Sequence, residues 1–235
     1  MKRAAWAIVA LAVAACSEPP AEKSKAADAP AAPTAAAPAK NTAPAGEYKL
    51  DKTHASVTFR VNHLGMSRYT ARFTGIDGVL QFDPANPAAM SIMASVDPKS
   101  IETDFPLEEP DFDEELAGPQ WLDAAKFPLI TFKSTKVEPT GANTAKVTGD
   151  FTLHGVTRPL VLNATFNGGY AAGGMDPMGA RIGFSAQGKI KRSDFGVSYG
   201  VPSPGSTFGV GDEVEILIEA EFTQAAPAGA AKPPA

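Results

Sequence analysis

The chain has 235 residues, with 21 Lys+Arg, 26 Asp+Glu, 21 Gly, 21 Pro, a single Cys and a formal net charge of −5. The length suits one ordinary domain with appendages. Scattered basic residues exclude a nucleic-acid binder, which needs a clustered basic face to replace phosphate counterions, and one cysteine excludes an internal disulfide and every multi-cysteine zinc site.

Residues 1–15 comprise Met1-Lys2-Arg3 and an apolar run from Ala4 to Ala15, the layout of a basic and then a hydrophobic signal region. This run is too short to span a bilayer, which takes about 20 residues of helix. Val13-Ala14-Ala15-Cys16 resembles a bacterial lipobox. That resemblance implies cleavage before Cys16 and acylation of its thiol and new amino terminus; the alternative is an ordinary secretory signal with a stray cysteine. Several acyl chains would anchor the protein stably, since each buried CH₂ contributes ~0.8 kcal/mol, so the membrane is met through the anchor only. Ser17, where other lipoproteins retained in the inner membrane carry aspartate, favours the periplasmic side of the outer membrane over secretion or inner-membrane anchorage. Residues 17–46 hold 12 Ala and 6 Pro and no Val, Ile, Leu or aromatic residue. Together with Cys16 they form an expected disordered linker, because such a composition cannot bury a core. The Ala/Pro tail 225–235 reads the same way, which leaves 47–224 to fold.

Within that segment apolar residues recur with period two, the mark of strands with one buried face. In chain order they are Val57, Phe59 and Val61; a short strand near Arg72–Thr74; Leu80 and Phe82; and Met90, Ile92, Ala94 and Val96. From 102 to 115 there are eight acidic residues and no basic one, followed by Pro119-Gln120-Trp121-Leu122. Pro119 predicts the first turn of a short side helix, with Trp121 and Leu122 pressed onto the strands. The acidic stretch is either a lid with an acidic approach or a solvated loop. Strands resume with Ile130 and Phe132, then Val147, Gly149, Phe151 and Leu153, a His154-Gly155 turn, and Leu160, Leu162, Ala164 and Phe166. Ile182, Phe184, Ala186, Gly188 and Ile190, and finally Val214, Ile216, Ile218, Ala220 and Phe222, complete the set. No helical crossover separates these runs, so the sheet is all-β and antiparallel. About eight one-faced strands give a closed barrel or a two-sheet sandwich, and closure leaves no exposed edge.

Three stretches resemble the YceI-like domain: Asp51-Lys-Thr-His54 through His63-Leu-Gly65; Gly149-Asp150-Phe-Thr-Leu-His154-Gly155-Val156-Thr157-Arg158-Pro159; and Met175 to Phe184 together with Lys191-Arg192-Ser193-Asp194-Phe195-Gly196. The resemblance covers residues 47–223 and implies an eight-stranded, lipocalin-like antiparallel barrel with a side helix, holding a long apolar chain such as a polyisoprenoid or fatty amide. Two departures from the family pattern are the acidic Phe112-Asp113-Glu114-Glu115-Leu116-Ala117, where a basic, histidine-bearing stretch is usual, and Ala71 in place of glycine.

On this reading the expected apolar interior comprises Val57, Phe59, Val61, Phe73, Leu80, Phe82, Ile92, Phe132, Phe151, Leu162, Phe184, Ile216 and Ile218. His63 and Arg72 are candidate polar contacts. Small inward residues such as Ala94, Gly149, Ala164, Ala186 and Gly188 leave room, although glycine in a strand equally marks a bulge. Arg192, Ser193 and Asp194 suit an anchored turn. No hydrolase elbow accompanies the histidines, so no enzyme, metal or cofactor is expected beyond a bound lipid or isoprenoid. Two alternatives stand beside this: a metal- or redox-associated module using His54 and His63, and a packed barrel serving as an interaction scaffold. A homodimer is compatible with all three. If Cys16 is acylated, intact-mass analysis of the mature protein shows the added acyl mass, and Cys16→Ser loses both that mass and partition into a detergent phase.

Overall fold

Ten strand segments carry more than half of the described residues: β1 (Gly46–His63), β2 (Ser67–Phe73), β3 (Ile76–Phe82), β4 (Ser91–Val96), β5 (Ile101–Glu102), β6 (Ile130–Pro139), β7 (Thr144–Leu153), β8 (Val156–Tyr170), β9 (Gly179–Lys191) and β10 (Val210–Ala225). The structure is a computed structural model describing residues 39–225 except 108, 110, 174, 175, 177 and 178. The expected signal, Cys16, most of the linker and nearly all of the tail lie outside the described residues.

β1 pairs with β3 along its first turns, Gly46↔Phe82, and with β2 along its last, Val57↔Phe73, so β2 and β3 form one path interrupted at Thr74-Gly75. The path next to it, β4 and β5, is interrupted by a single 3₁₀ turn, Pro98–Ser100, where the Asp97 carboxylate accepts from Lys99 N. With these two joins the ten segments make eight antiparallel paths. β6 to β10 follow as neighbours, and β10 returns to β1 through pairs such as Ser56↔Glu219 and Phe59↔Ile216, which closes the barrel. The expectation of a closed eight-stranded antiparallel barrel holds. His154-Gly155 makes the two-residue turn between β7 and β8, both residues at positive φ (51° and 75°), as the twist of a tight hairpin requires.

Two expected boundaries move. The short helix α1 spans Phe112–Ala117 and ends at Gly118, before Pro119. The acidic residues account for this. Asp111 caps the helix by accepting from Glu114 N, and Asp113, Glu114 and Glu115 occupy its first turn, where carboxylates complement the positive end of the helix dipole. Residues 119–128 follow as turns, with Leu122 N donating to Leu116 O and Ala124 N to Ala117 O. The second shift is at the linker. Its final residues, 39–45, lie along the barrel as a strap: Thr42 N donates to Gly169 O, Gly169 N to Lys40 O and Ala39 N to Asn143 Oδ1. Ala43 is buried, and the Tyr48 hydroxyl donates to Pro44 O. Ala/Pro composition hides this because the bonds are made by backbone groups.

The two ends of the barrel differ. One end, the rim, gathers the 83–90 and 140–143 turns, the β8–β9 connection, the strap, the start of β1 and the finish of β10. The other, the floor, gathers the 64–66 and 154–155 turns, the long 103–129 segment with α1, and the 192–209 loop. Inside the wall, Gly149 and Gly188 do not themselves leave empty space. A Cβ on Gly149 would stand 2.5 Å from Phe132 Cζ and 2.6 Å from Lys133 O, and one on Gly188 2.7 Å from Leu162 Cδ2. Gly149→Ala is therefore expected to lower stability by about 1–3 kcal/mol through overpacking, seen as a lower urea midpoint with an unchanged slope.

Candidate ligand chamber

The barrel encloses a chamber of about 900 Å³. That is near the top of the ~300–1,000 Å³ range of small-molecule sites and corresponds to an eight-stranded barrel that holds a ligand instead of filling itself with side chains. This volume counts against a packed barrel. All the residues expected in the apolar interior line it: Val57, Phe59 and Val61 on β1, Phe73 on β2, Leu80 and Phe82 on β3, Ile92 on β4, Phe132 on β6, Phe151 on β7, Leu162 on β8, Phe184 on β9, and Ile216 and Ile218 on β10; Ile182, in the same alternation as Phe184, does not. Ala94, Ala164 and Ala186 also face it, the last two as direct cross-strand partners.

Toward the rim the wall is aromatic. Phe82, Phe166 and Phe184 stand with ring centroids 5.2 to 6.5 Å apart, and Phe222 lies 6.3 Å from Phe184. The chamber reaches solvent here, between the exposed lining residues Pro84, Pro87, Pro139, Gly141, Ala142 and Thr144, with Ala39 and Asn41 of the strap on the same margin.

At the floor the lining is formed by Leu116, Trp121, Leu122, Arg192 and Val197, with the exposed Phe105 and His63 at its margin. Arg192 is only 5% exposed, and its guanidinium donates to three backbone carbonyls, Val197, Val210 and Gly211, at 2.8–2.9 Å. It also lies 5.4 Å from the Trp121 ring. Burial pulls its pKa down from the ordinary arginine value, opposed by the charge of Asp212. Ser193 N and Oγ both donate to Asp212, and Arg158 Nε donates to Asp194 O, so Arg192-Ser193-Asp194 is the anchored turn its spacing suggested. The Trp121 indole N–H is, among the described residues, the one buried side-chain polar atom without a hydrogen-bond partner. Its ring stands edge-on to Tyr199 at 5.1 Å.

The two polar candidates separate. His63 borders the chamber at the floor margin, exposed, with its ring 6.4 Å from Tyr69. Arg72 does not face the chamber: between inward Ala71 and Phe73 it points outside, where its Nε donates to Glu102 at 2.8 Å. A one-residue offset in a strand decides the face. The pairing of His54 with His63 as metal ligands also fails. They lie nine residues apart along β1, roughly 30 Å of strand at ~3.3 Å per residue, and His54 instead joins Asp51 and Glu221, whose ligand atoms fall within 4.8 Å of one another. That cluster already holds a cation. Arg181 Nη1 lies 2.6 Å from Asp51 and 2.7 Å from Glu221, and its Nε 3.3 Å from Asp176. The strap, Tyr69 and Phe112 were missed as lining residues; only the alternation placing Tyr69 in step with Ala71 and Phe73 could have signalled one of them.

A YceI-like domain model matches residues 48–222. The chain belongs to the YceI-like domain family. A UPF0312 protein of Vibrio cholerae is 40% identical over 156 residues, covering 65% of this chain and 78% of the relative, and Protein YceI of Salmonella arizonae is 39% identical over 186 residues, covering 78% and 90%. Among solved YceI-like and related structures, Burkholderia cenocepacia BcnA aligns with TM-score 0.60 at 26% identity, covering 73% of this chain and 98% of that one. The Campylobacter jejuni YceI protein aligns with TM-score 0.57 at 30% identity, covering 70% and 90%. A polyisoprenoid binding domain from Saccharophagus degradans shares the fold, with TM-score 0.53 at 15% identity over 76% of this chain and 98% of that one.

The Asp51 carboxyl of this YceI-like barrel is held well below the usual carboxylate range, first by the Thr53 hydroxyl and then by Arg181, whose own pKa is raised chiefly by Asp51. A depressed folded-state pKa gives stability that is fully present above the ordinary carboxylate value of ~3.9 and lost as pH falls toward the folded value. The urea midpoint should therefore drop below about pH 4. Arg181→Met should lower stability at neutral pH by roughly 1–2 kcal/mol and flatten the acid slope; equal slopes in both proteins would refute the linkage.

Proposed function

We propose that this protein is an envelope lipoprotein, held at the periplasmic face of the outer membrane by acylated Cys16, that carries, stores or scavenges a long apolar molecule of polyisoprenoid or fatty-amide type in its barrel. The supporting observation is the 900 Å³ chamber, open at the rim and walled by aliphatic and aromatic side chains. Its one nearly buried charge, Arg192, is spent on backbone carbonyls. Among the described residues no helix is long and apolar enough to cross a membrane, in keeping with attachment through an acyl anchor. Burying a ten-carbon stretch contributes on the order of 8 kcal/mol before association costs, so useful affinity needs no charged contact. Membership of the YceI-like family and the shared fold of a domain described as polyisoprenoid binding support the ligand class.

Mass spectrometry of lipid extracted from purified protein is expected to reveal a long-chain species, and delipidated protein to bind fluorescent isoprenoid or fatty-amide probes. Ala186→Trp fills the middle of the chamber with an apolar ring. It should weaken probe binding at least ~10-fold, equivalent to 1.4 kcal/mol, without lowering the urea midpoint. Failure of the delipidated wild-type protein to bind either probe class removes this reading.

A further inference from the structure

The rim and the floor differ in charge. Of the rim elements, the 84–89 and 139–143 turns contain no charged residue and the strap 39–45 only Lys40, while Asp83, Asp176 and Glu47 stand in the others. At the floor lies the 102–115 stretch, with eight acidic residues and no basic one. Burying a charge in a low-dielectric medium is costly, and burying backbone turns rich in Pro, Ala and Gly is far less so. The rim is thus the end that tolerates contact with a bilayer, and anionic headgroups repel the floor.

The covalent path leads to the same end. The strap is fixed at the opening by the Thr42–Gly169–Lys40 backbone pair, by Ala39 N to Asn143 Oδ1 and by Ala171 N to Thr42 Oγ1 at 3.3 Å. The chain from Cys16 therefore arrives at the margin of the chamber and not at its base. From Cys16 to Ala39 is 23 residues, a span of at most roughly 80 Å when fully extended.

We infer that the open rim of the barrel faces the bilayer to which the chain is tethered, and that the apolar ligand passes between bilayer and chamber through this rim on contact, without crossing bulk water. This rests on the lipoprotein and ligand reading proposed above. The competing surface is at the floor, where Met66 and Phe208 are, among the described residues, the most exposed large apolar side chains, 78% and 83%. They share that end with the acidic stretch, which argues against their lying in an anionic surface.

The test uses the full-length, lipidated protein in phosphatidylethanolamine–phosphatidylglycerol vesicles. With Cys16 acylated, a cysteine introduced at Ala88→Cys on the rim or at Met66→Cys on the floor is the sole free thiol for a fluorophore. Quencher-labelled lipid is expected to quench the Ala88→Cys label several-fold more than the Met66→Cys label. Equal quenching, stronger quenching at Met66→Cys, or failure of the protein to float with vesicles each overturns the inference. In the same vesicles, a fluorescent fatty amide should enter the chamber of the anchored protein several-fold faster than that of Cys16→Ser protein added free in solution; equal rates mean transfer through water and also overturn the inference. Reversed labels with a protein that still binds the probe in detergent leave the ligand reading standing. Rim-oriented labels with no probe uptake remove the ligand reading instead.

Discussion

Everything in this molecule depends on the ladder between its first and last strands. β1 and β10 pair from Lys49↔Thr223 to His63↔Val210, with irregularities only between Leu50 and Ala55 and between Val61 and His63. Once that seam is made, backbone donors and acceptors around the barrel are satisfied by neighbouring strands, and no second layer is needed to cover an edge. The interior is then free of the usual demand that it be filled. An open sandwich with the same inward residues would bring two faces together at ~10 Å and exclude a ligand. A circle of eight strands with Ala94, Ala164 and Ala186 facing in keeps its walls apart.

The wall was legible because its code is simple. Side chains alternate across a strand, so Val214, Ile216 and Ile218 declare their face without reference to any other part of the chain. Arg72 shows the limit of that code: it was assigned a polar contact by its neighbourhood in the sequence, yet it stands between Ala71 and Phe73 and so faces outward. Helix α1 was displaced for a different reason. Pro119 is compatible with a helix start, but Asp111 and the carboxylates after it make a stronger one, through a capping bond and dipole complementarity that composition alone reads as a solvated acidic loop. The strap was invisible because its attachment is a backbone event far along the chain, with Gly169 and Asn143 as partners.

The glycines of the wall carry a related lesson. Gly149 and Gly188 were read as makers of space, and they do make space, but for Phe132 and Leu162 rather than for a ligand. A missing side chain on one strand is taken up by a large one on the next, so local smallness does not measure the chamber. At the floor the reverse holds. Arg192, the buried charged side chain on the lining, contributes rigidity by tying residue 197 to the 210–211 segment.

Gly46 and Ala225, the outermost residues of the first and last strands, lie at the same end of the barrel, where Gln224 Nε2 reaches Glu47 O at 3.4 Å. Any cargo fused ahead of β1 or behind β10, whether a reporter domain, a purification tag or a neighbouring module in a longer polypeptide, is thus delivered beside the aperture and competes for the space a solute must cross. The hairpin tip at 64–66 and the segment 203–206 offer attachment points at the opposite pole, so engineered insertions there leave the doorway clear.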